Sequence, residues 1–220
     1  MSTPFQHSAE LMRLGVEHGF GMSGSEAAAP ADLNRVTQIH GDDIAEVPGA
    51  TPRTRADGLV TREAGVAVGI QTADCVPILF TTTSCAFVAA VHAGWRGTAL
   101  EIARKAVAHL VETRGVATSD IVAVIGPHAG PCCYEVDVPV RAAFHDPGDA
   151  FCDLGDTGRA GHFMLDLHEL NRAQLITAGV PAAAISRVGG CTICDPIGYP
   201  SHRRDPDSGR MIHFIRRPAA

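Results

Sequence analysis

The chain has 220 residues, 45% of them hydrophobic and 19% charged, which excludes disorder over the whole length and allows a core without covalent or metal staples. The formal net charge of -6 argues against nucleic-acid binding by bulk electrostatics but leaves room for local basic pockets that take small anions. No apolar run is long enough to span a membrane, the start MSTPFQHSAELMRLG lacks a signal-peptide pattern, and seven cysteines form no dense disulfide framework, so the expectation is a cytoplasmic protein with reduced thiols and no membrane contact.

Taken in chain order, residues 8–18 predict a short helix with Leu11 and Leu14 on one side, and the Gly/Ala/Ser/Pro-rich stretch 21–31 predicts a loop. RVTQI (35–39) reads as a strand that delivers His40 at its end. Residues 66–70, 76–80 and 87–91 are short apolar runs bounded by breakers, and the TTTSCA link between the last two suits an antiparallel pair. Residues 98–113 predict a helix with Ala103, Ala106, Val107, Leu110 and Val111 on one face. Thr98 and Glu101 read as its capping box and Gly115 as its stop. A strand at 121–125, a helix from Asp166 to about residue 178, and strands at 185–188 and 211–215 complete the pattern. The fold class is α/β (α+β): a mixed sheet with helices packed outside, in one domain over 1–220.

Three chemistry-bearing groups sit at expected strand ends: His40, Cys75 in QTADCVPILF, and His92 in FVAAVHAGWRG. Two imidazoles and a thiolate suit zinc, and three protein ligands leave a tetrahedral position open, as a catalytic site requires. Buried histidines and a core cysteine would explain the same residues without a metal. The turn Gly94-Trp95-Arg96-Gly97 permits close backbone approach before a helix, and Arg96 offers a donor fork for an oxyanion or phosphate. The alternative is a tight strand-to-helix turn covered by Trp95. Asp74, beside Cys75, either orients a ligand imidazole and relays a proton or merely solvates the strand start. The CxxC pair Cys191/Cys194 lacks a second knuckle. Cys132 and Cys133 are adjacent, which speaks against a four-thiolate site, so all four are read as packing or incidental thiols.

The segments TADCVPILF, VHAGWRG, GPHAGPCCYEV and SHRRDPDSGRMIHFI together resemble the YfiH-type laccase-domain family, once described as polyphenol oxidases and now assigned as purine nucleoside phosphorylases. The likeness covers roughly residues 35–215. It implies a layered α/β sandwich and a zinc site at His40 (QIHG), Cys75 and His92, with copper as the other candidate metal. It implies phosphorolysis of adenosine, inosine and methylthioadenosine, with adenosine deamination alongside. The partners implied are purine nucleosides and phosphate, and the protein is expected to be a monomer or homodimer. On this reading Asp74 and Arg96 are catalytic and Arg203 and Arg204 bind substrate, in a lip that also holds His202 and Arg210.

Three departures from the family pattern stand out. The segment HGFGMSG (18–24) lacks the arginine of the family's GFSTRxGG-like stretch, and the chain before His40 is short. If that arginine holds an anion, binding here is either weaker or supplied by Arg96, Arg203 or Arg204. His128 and His202 replace a cysteine and a tyrosine of the family pattern; both are either extra polar groups near the site or surface changes, and the surface reading is favoured. Two rival functions follow from the same residues. One is a metal-free cysteine hydrolase or deamidase, with Cys75 as nucleophile and His92 as base. The other is a degenerate member that binds metal without catalysis. A multicopper oxidase site is disfavoured, because the chain has no His-x-His pair.

Overall fold

The computed structural model describes residues 4–145, 147–154 and 158–219. In chain order the first half runs β1 (Phe5–Gln6), α1 (Ala9–Arg13), β2 (Glu17–Gly21), β3 (Ile44–Val47), β4 (Gly58–Thr61), β5 (Ala67–Thr72), β6 (Val76–Thr82) and β7 (Val88–Ala93). Next come α2 (Trp95–Ala99), α3 (Ile102–Arg114), β8 (Ile121–Ile125), β9 (Glu135–Asp137), α4 (Val138–Ala142), β10 (Phe151–Asp153) and β11 (His162–Leu165). The chain ends with α5 (Leu167–Thr177), β12 (Ile185–Arg187) and β13 (Met211–Arg216).

A mixed six-stranded sheet, ordered β12-β8-β6-β7-β4-β3, forms the middle layer. Its outer pairs are parallel and its inner ones antiparallel, including the predicted β6–β7 pair. Side chains alternate across a strand, and both faces of this sheet are covered. Val76, Ile78 and Phe80 of β6 and Ile121, Ala123 and Ile125 of β8 join Ile102, Ala106 and Leu110 of α3 and Leu167 and Leu175 of α5 in one core. Leu79, Val122 and Val124 point the other way, against Phe20, Val68, Ile70 and Ile215 of an antiparallel sheet ordered β1-β2-β13-β5. Two-sided burial is why these strands read as unbroken apolar runs. Each fully buried leucine, isoleucine or phenylalanine contributes roughly 1.5–3 kcal/mol. The result is the α+β layered sandwich expected.

Several predicted elements differ in detail. The N-terminal helix stops at Arg13, and the chain turns into β2 four residues later, with Leu11 as its buried anchor. RVTQI is not a strand. Its Gln38 amide accepts from the Gln71 backbone N–H at 2.7 Å and donates to the Gln71 carbonyl at 2.8 Å, so one side chain replaces a strand's pairing with β5. The helix expected over 98–113 is two helices. The first starts three residues early, at Trp95, and Glu101 takes a left-handed conformation (φ 61°) between them. Thr98 is therefore buried inside α2, where its hydroxyl accepts from Asn171 Nδ2 at 3.0 Å rather than capping a helix. Gly115, at φ 63°, does end α3, and Asp166 caps α5 by accepting from the Glu169 N–H at 3.0 Å.

Candidate metal centre and its cavity

Strand register brings two of the three donors together. In the β6–β7 ladder Val76 pairs with Ala93 and Pro77 with His92. Cys75 precedes one strand and His92 nears the end of the other, so they meet at the same edge. The third, His40, arrives on the loop between β2 and β3 in a left-handed conformation (φ 59°). One ligand atom from each of His40, Cys75 and His92 lies within 4.8 Å of the other two.

What holds this arrangement is Asp57, a residue that sequence reasoning did not select. It is fully buried just before β4. Its Oδ1 accepts from the His40 backbone N–H at 2.9 Å and from His92 Nδ1 at 2.8 Å, and its Oδ2 accepts from Ile39 N–H at 3.2 Å and Gly41 N–H at 2.6 Å. One carboxylate thus folds the His40 loop and fixes the His92 tautomer, with the proton on Nδ1 and Nε2 free to ligate. Asp74 has a different position. It sits at φ 87° and accepts from the Thr192 hydroxyl at 2.6 Å and the Arg203 N–H at 2.7 Å, so it ties two later loops to the strand start. The carboxylate against a ligand imidazole is Asp57, not Asp74.

The three donors form a strongly coupled set in the metal-free protein. Burial pushes the Cys75 thiol up, but the charge on His92 and hydrogen bonds from His40 and His92 outweigh it and bring the thiol down to about 6. Burial pulls His92 down, but the Cys75 thiolate and Asp57 outweigh it and lift the imidazole to about 9. A thiolate and two imidazoles facing one point fit a borderline-soft divalent ion.

The glycine after the strand is part of the fit. A Cβ on Gly94 would lie 2.9 Å from Cys75 Sγ and 3.1 Å from His40 Nδ1. Gly94→Ala is therefore expected to fold, as judged by circular dichroism, yet to lose metal affinity at least tenfold in a chelator competition, since a displaced ligand costs about 1.4 kcal/mol or more. Unchanged affinity would mean that the three side chains do not share an ion.

A cavity of about 500 Å³ opens over the donors, and Trp95, Arg96, Asp74, Tyr134, His202, Arg203 and Arg210 line it. Arg96 lies over the Trp95 ring at 4.3 Å. Arg203 lies over the Tyr134 ring at 5.0 Å and donates to the Glu135 carbonyl at 2.6 Å. Arg204 does not line the cavity, because its guanidinium donates to the carbonyls of Thr192, Ile193 and Tyr199 at 2.6–3.0 Å. The surface reading of the two histidines needs correction. His202 is exposed but faces the cavity. His128 is fully buried, bonds the Gly126 carbonyl through Nδ1 at 2.7 Å, and stacks on His168. No helix among the described residues is long and apolar enough to cross a membrane.

Known proteins resemble the chain along most of its length. A purine nucleoside phosphorylase YlmD of Geobacillus stearothermophilus is 43% identical over 194 residues, covering 82% of this chain and 70% of that protein. An adenosine deaminase RL5 from an unknown prokaryotic organism is 40% identical over 169 residues, covering 73% of this chain and 62% of that protein. Crystal structures of YlmD from Geobacillus stearothermophilus (TM-score 0.84, 32% identity, covering 99% and 100% of the two chains) and of a Bacillus licheniformis hypothetical protein YfiH (0.85, 30%, 98% and 99%) share the fold. The family model described as multi-copper polyphenol oxidoreductase laccase matches residues 21–218. With the fold and the sequence agreeing, the chain belongs to this YfiH-type laccase-domain family.

Proposed function

We propose that the protein is a zinc-dependent purine nucleoside phosphorylase acting on adenosine, inosine and methylthioadenosine, with adenosine deaminase activity at the same site. The observation that carries the reading is the convergence of His40, Cys75 and His92 beneath a cavity rich in arginine. The names of the relatives support the two reactions.

His40, Cys75 and His92 would hold the zinc, which when bound supplies Lewis-acid polarisation of an oxygen. Asp57 keeps His92 in the ligating tautomer. Arg96 and Arg203, held by the Trp95 and Tyr134 rings, bind and orient phosphate. In phosphorolysis a phosphate oxygen forms a bond to the sugar C1′. The C1′–N9 electron pair leaves with the purine, which takes up a proton, and ribose 1-phosphate is the second product. In deamination water adds at C6, Asp74 takes the proton that the attacking water releases and returns it to the departing amino group, and the C6–N bond breaks to give ammonia and inosine. Asp74 also positions Arg203 through the backbone N–H it accepts. Arg204 contributes by ordering the loop that carries Arg203.

The test is a product assay. Inosine should yield hypoxanthine and ribose 1-phosphate only when phosphate is present, and adenosine should yield adenine with phosphate and some inosine without it. Hypoxanthine release independent of phosphate would make the enzyme a hydrolase and overturn the phosphorylase reading.

A further inference from the structure

We infer that Cys132, Cys133, Cys191 and Cys194 form a second, structural zinc site, separate from the cavity. The four sulfurs come from two loops some 60 residues apart, and all lie within 4.8 Å of one another. Cys132 Sγ and Cys133 Sγ stand 3.4 Å and 3.2 Å from Cys194 Sγ. A closed zinc tetrathiolate with bonds of about 2.3 Å places its sulfurs about 3.8 Å apart, so a single ion fits the spread. These separations exceed a disulfide bond of about 2.05 Å, and all four thiols are free.

The adjacency of Cys132 and Cys133 does not prevent convergence, because the chain turns sharply there. Cys133 N–H and Tyr134 N–H both donate to the Gly130 carbonyl, at 3.0 Å and 2.9 Å. That turn presents both thiols toward the second loop. Cys191 and Cys194 supply the CxxC knuckle, whose spacing is that of structural zinc ligands. The loops are also paired by backbone: His128 bridges Cys191, and Thr192 N–H donates to the His128 carbonyl at 3.0 Å. The Gly130 N–H points at Cys191 Sγ at 3.2 Å, the kind of amide-to-sulfur bond that supports a ligating thiolate. A side chain at Gly130 would press on this group, since its Cβ would stand 3.3 Å from Cys191 Cβ and 3.5 Å from Cys132 Sγ.

As zinc binds, each thiol gives its proton to solvent and four sulfur–zinc bonds form, with no change of oxidation state. The consequence is mechanical. The first loop leads directly into Tyr134, and Thr192 of the second donates to Asp74, which also accepts from the Arg203 N–H, so the ion ties the Tyr134 segment to the carboxylate that positions Arg203 over its ring.

The experiment measures zinc in full-length protein purified in reducing buffer with zinc. Wild type should hold two equivalents, Cys75→Ala one, and Cys191→Ser/Cys194→Ser one. In the Cys75→Ala protein, cobalt(II) should replace the remaining ion and give the intense sulfur-to-cobalt charge-transfer band of four thiolates. That second readout needs no change to the cluster. A Cys75→Ala protein with no zinc, or a mass two units low from a disulfide among these cysteines, would overturn the proposal. Neither result bears on the His40–Cys75–His92 site, which the double serine variant and the nucleoside assay report separately.

Discussion

Cys75→Ala is expected to lose the ion held with His40 and His92, and nucleoside turnover should fall by at least a thousandfold while the fold persists. The thiolate is the one anionic donor of the set, and it lies at the base of the cavity between the two imidazoles. Alanine leaves two imidazoles, which hold a divalent ion weakly. The same residue separates the rival chemistries. In the metal-loaded enzyme Cys75 should resist iodoacetamide; after chelation it should react, because only a free thiolate is nucleophilic. The pH dependence of that reaction follows from its lowered value. Above about 6 the thiol is ionised and reacts at a constant rate; below it protonation removes the nucleophile and the rate falls about tenfold per unit. A thiol hydrolase would instead be most active after chelation, working through the thiolate and an imidazolium whose proton persists to about 9. Full turnover by metal-free protein, or by Cys75→Ala, would remove the zinc mechanism.

The sequence made the sandwiched strands legible because burial on both faces leaves nothing but apolar residues, as in β6 and β8. It hid β2 (EHGFG) and β4 (GLVT), where glycines stand in for apolar side chains at close approaches: a Cβ on Gly58 would meet the Ile44 side chain at 2.3 Å, and one on Gly21 the Ile212 carbonyl at 2.4 Å. The metal donors were visible through QIHG, TADC and HAGWRG, the segments that carry the family resemblance, because on their own two histidines and a cysteine are explained as well by core packing. Asp57 was not, because Asp-Gly before a strand reads as a turn, and its partner His92 lies 35 residues on. Arg203 and Arg204 are equivalent as letters. Geometry separates them: one lines the cavity and the other is taken up by three carbonyls. The convergence of the four cysteines is hidden for a related reason: adjacency sets Cys132 and Cys133 apart in an extended chain, but not in the tight turn at 131–133.

Asp57→Asn is the substitution whose effect the geometry fixes most narrowly. A carboxylate offers about four acceptor sites, and here four donors use them: three backbone N–H groups and His92 Nδ1. An asparagine amide keeps one oxygen and brings two N–H groups. In one orientation its NH2 faces Ile39 and Gly41, which opens the His40 loop. In the other it faces His40 and His92, which removes the acceptor that holds the ligating tautomer. Neither orientation satisfies all four donors, and the cost of breaking such a buried pair is about 3–5 kcal/mol. Metal affinity at the His40–Cys75–His92 site should fall by roughly 10–100-fold. Turnover should fall with it and recover in part when excess zinc is added, whereas a variant damaged only in global stability would lose activity in proportion to its unfolded fraction. Chelator competition and thermal melting on the same preparation test this. Affinity within twofold of wild type would mean that His92 needs no carboxylate to hold it, and that the backbone alone places the three donors.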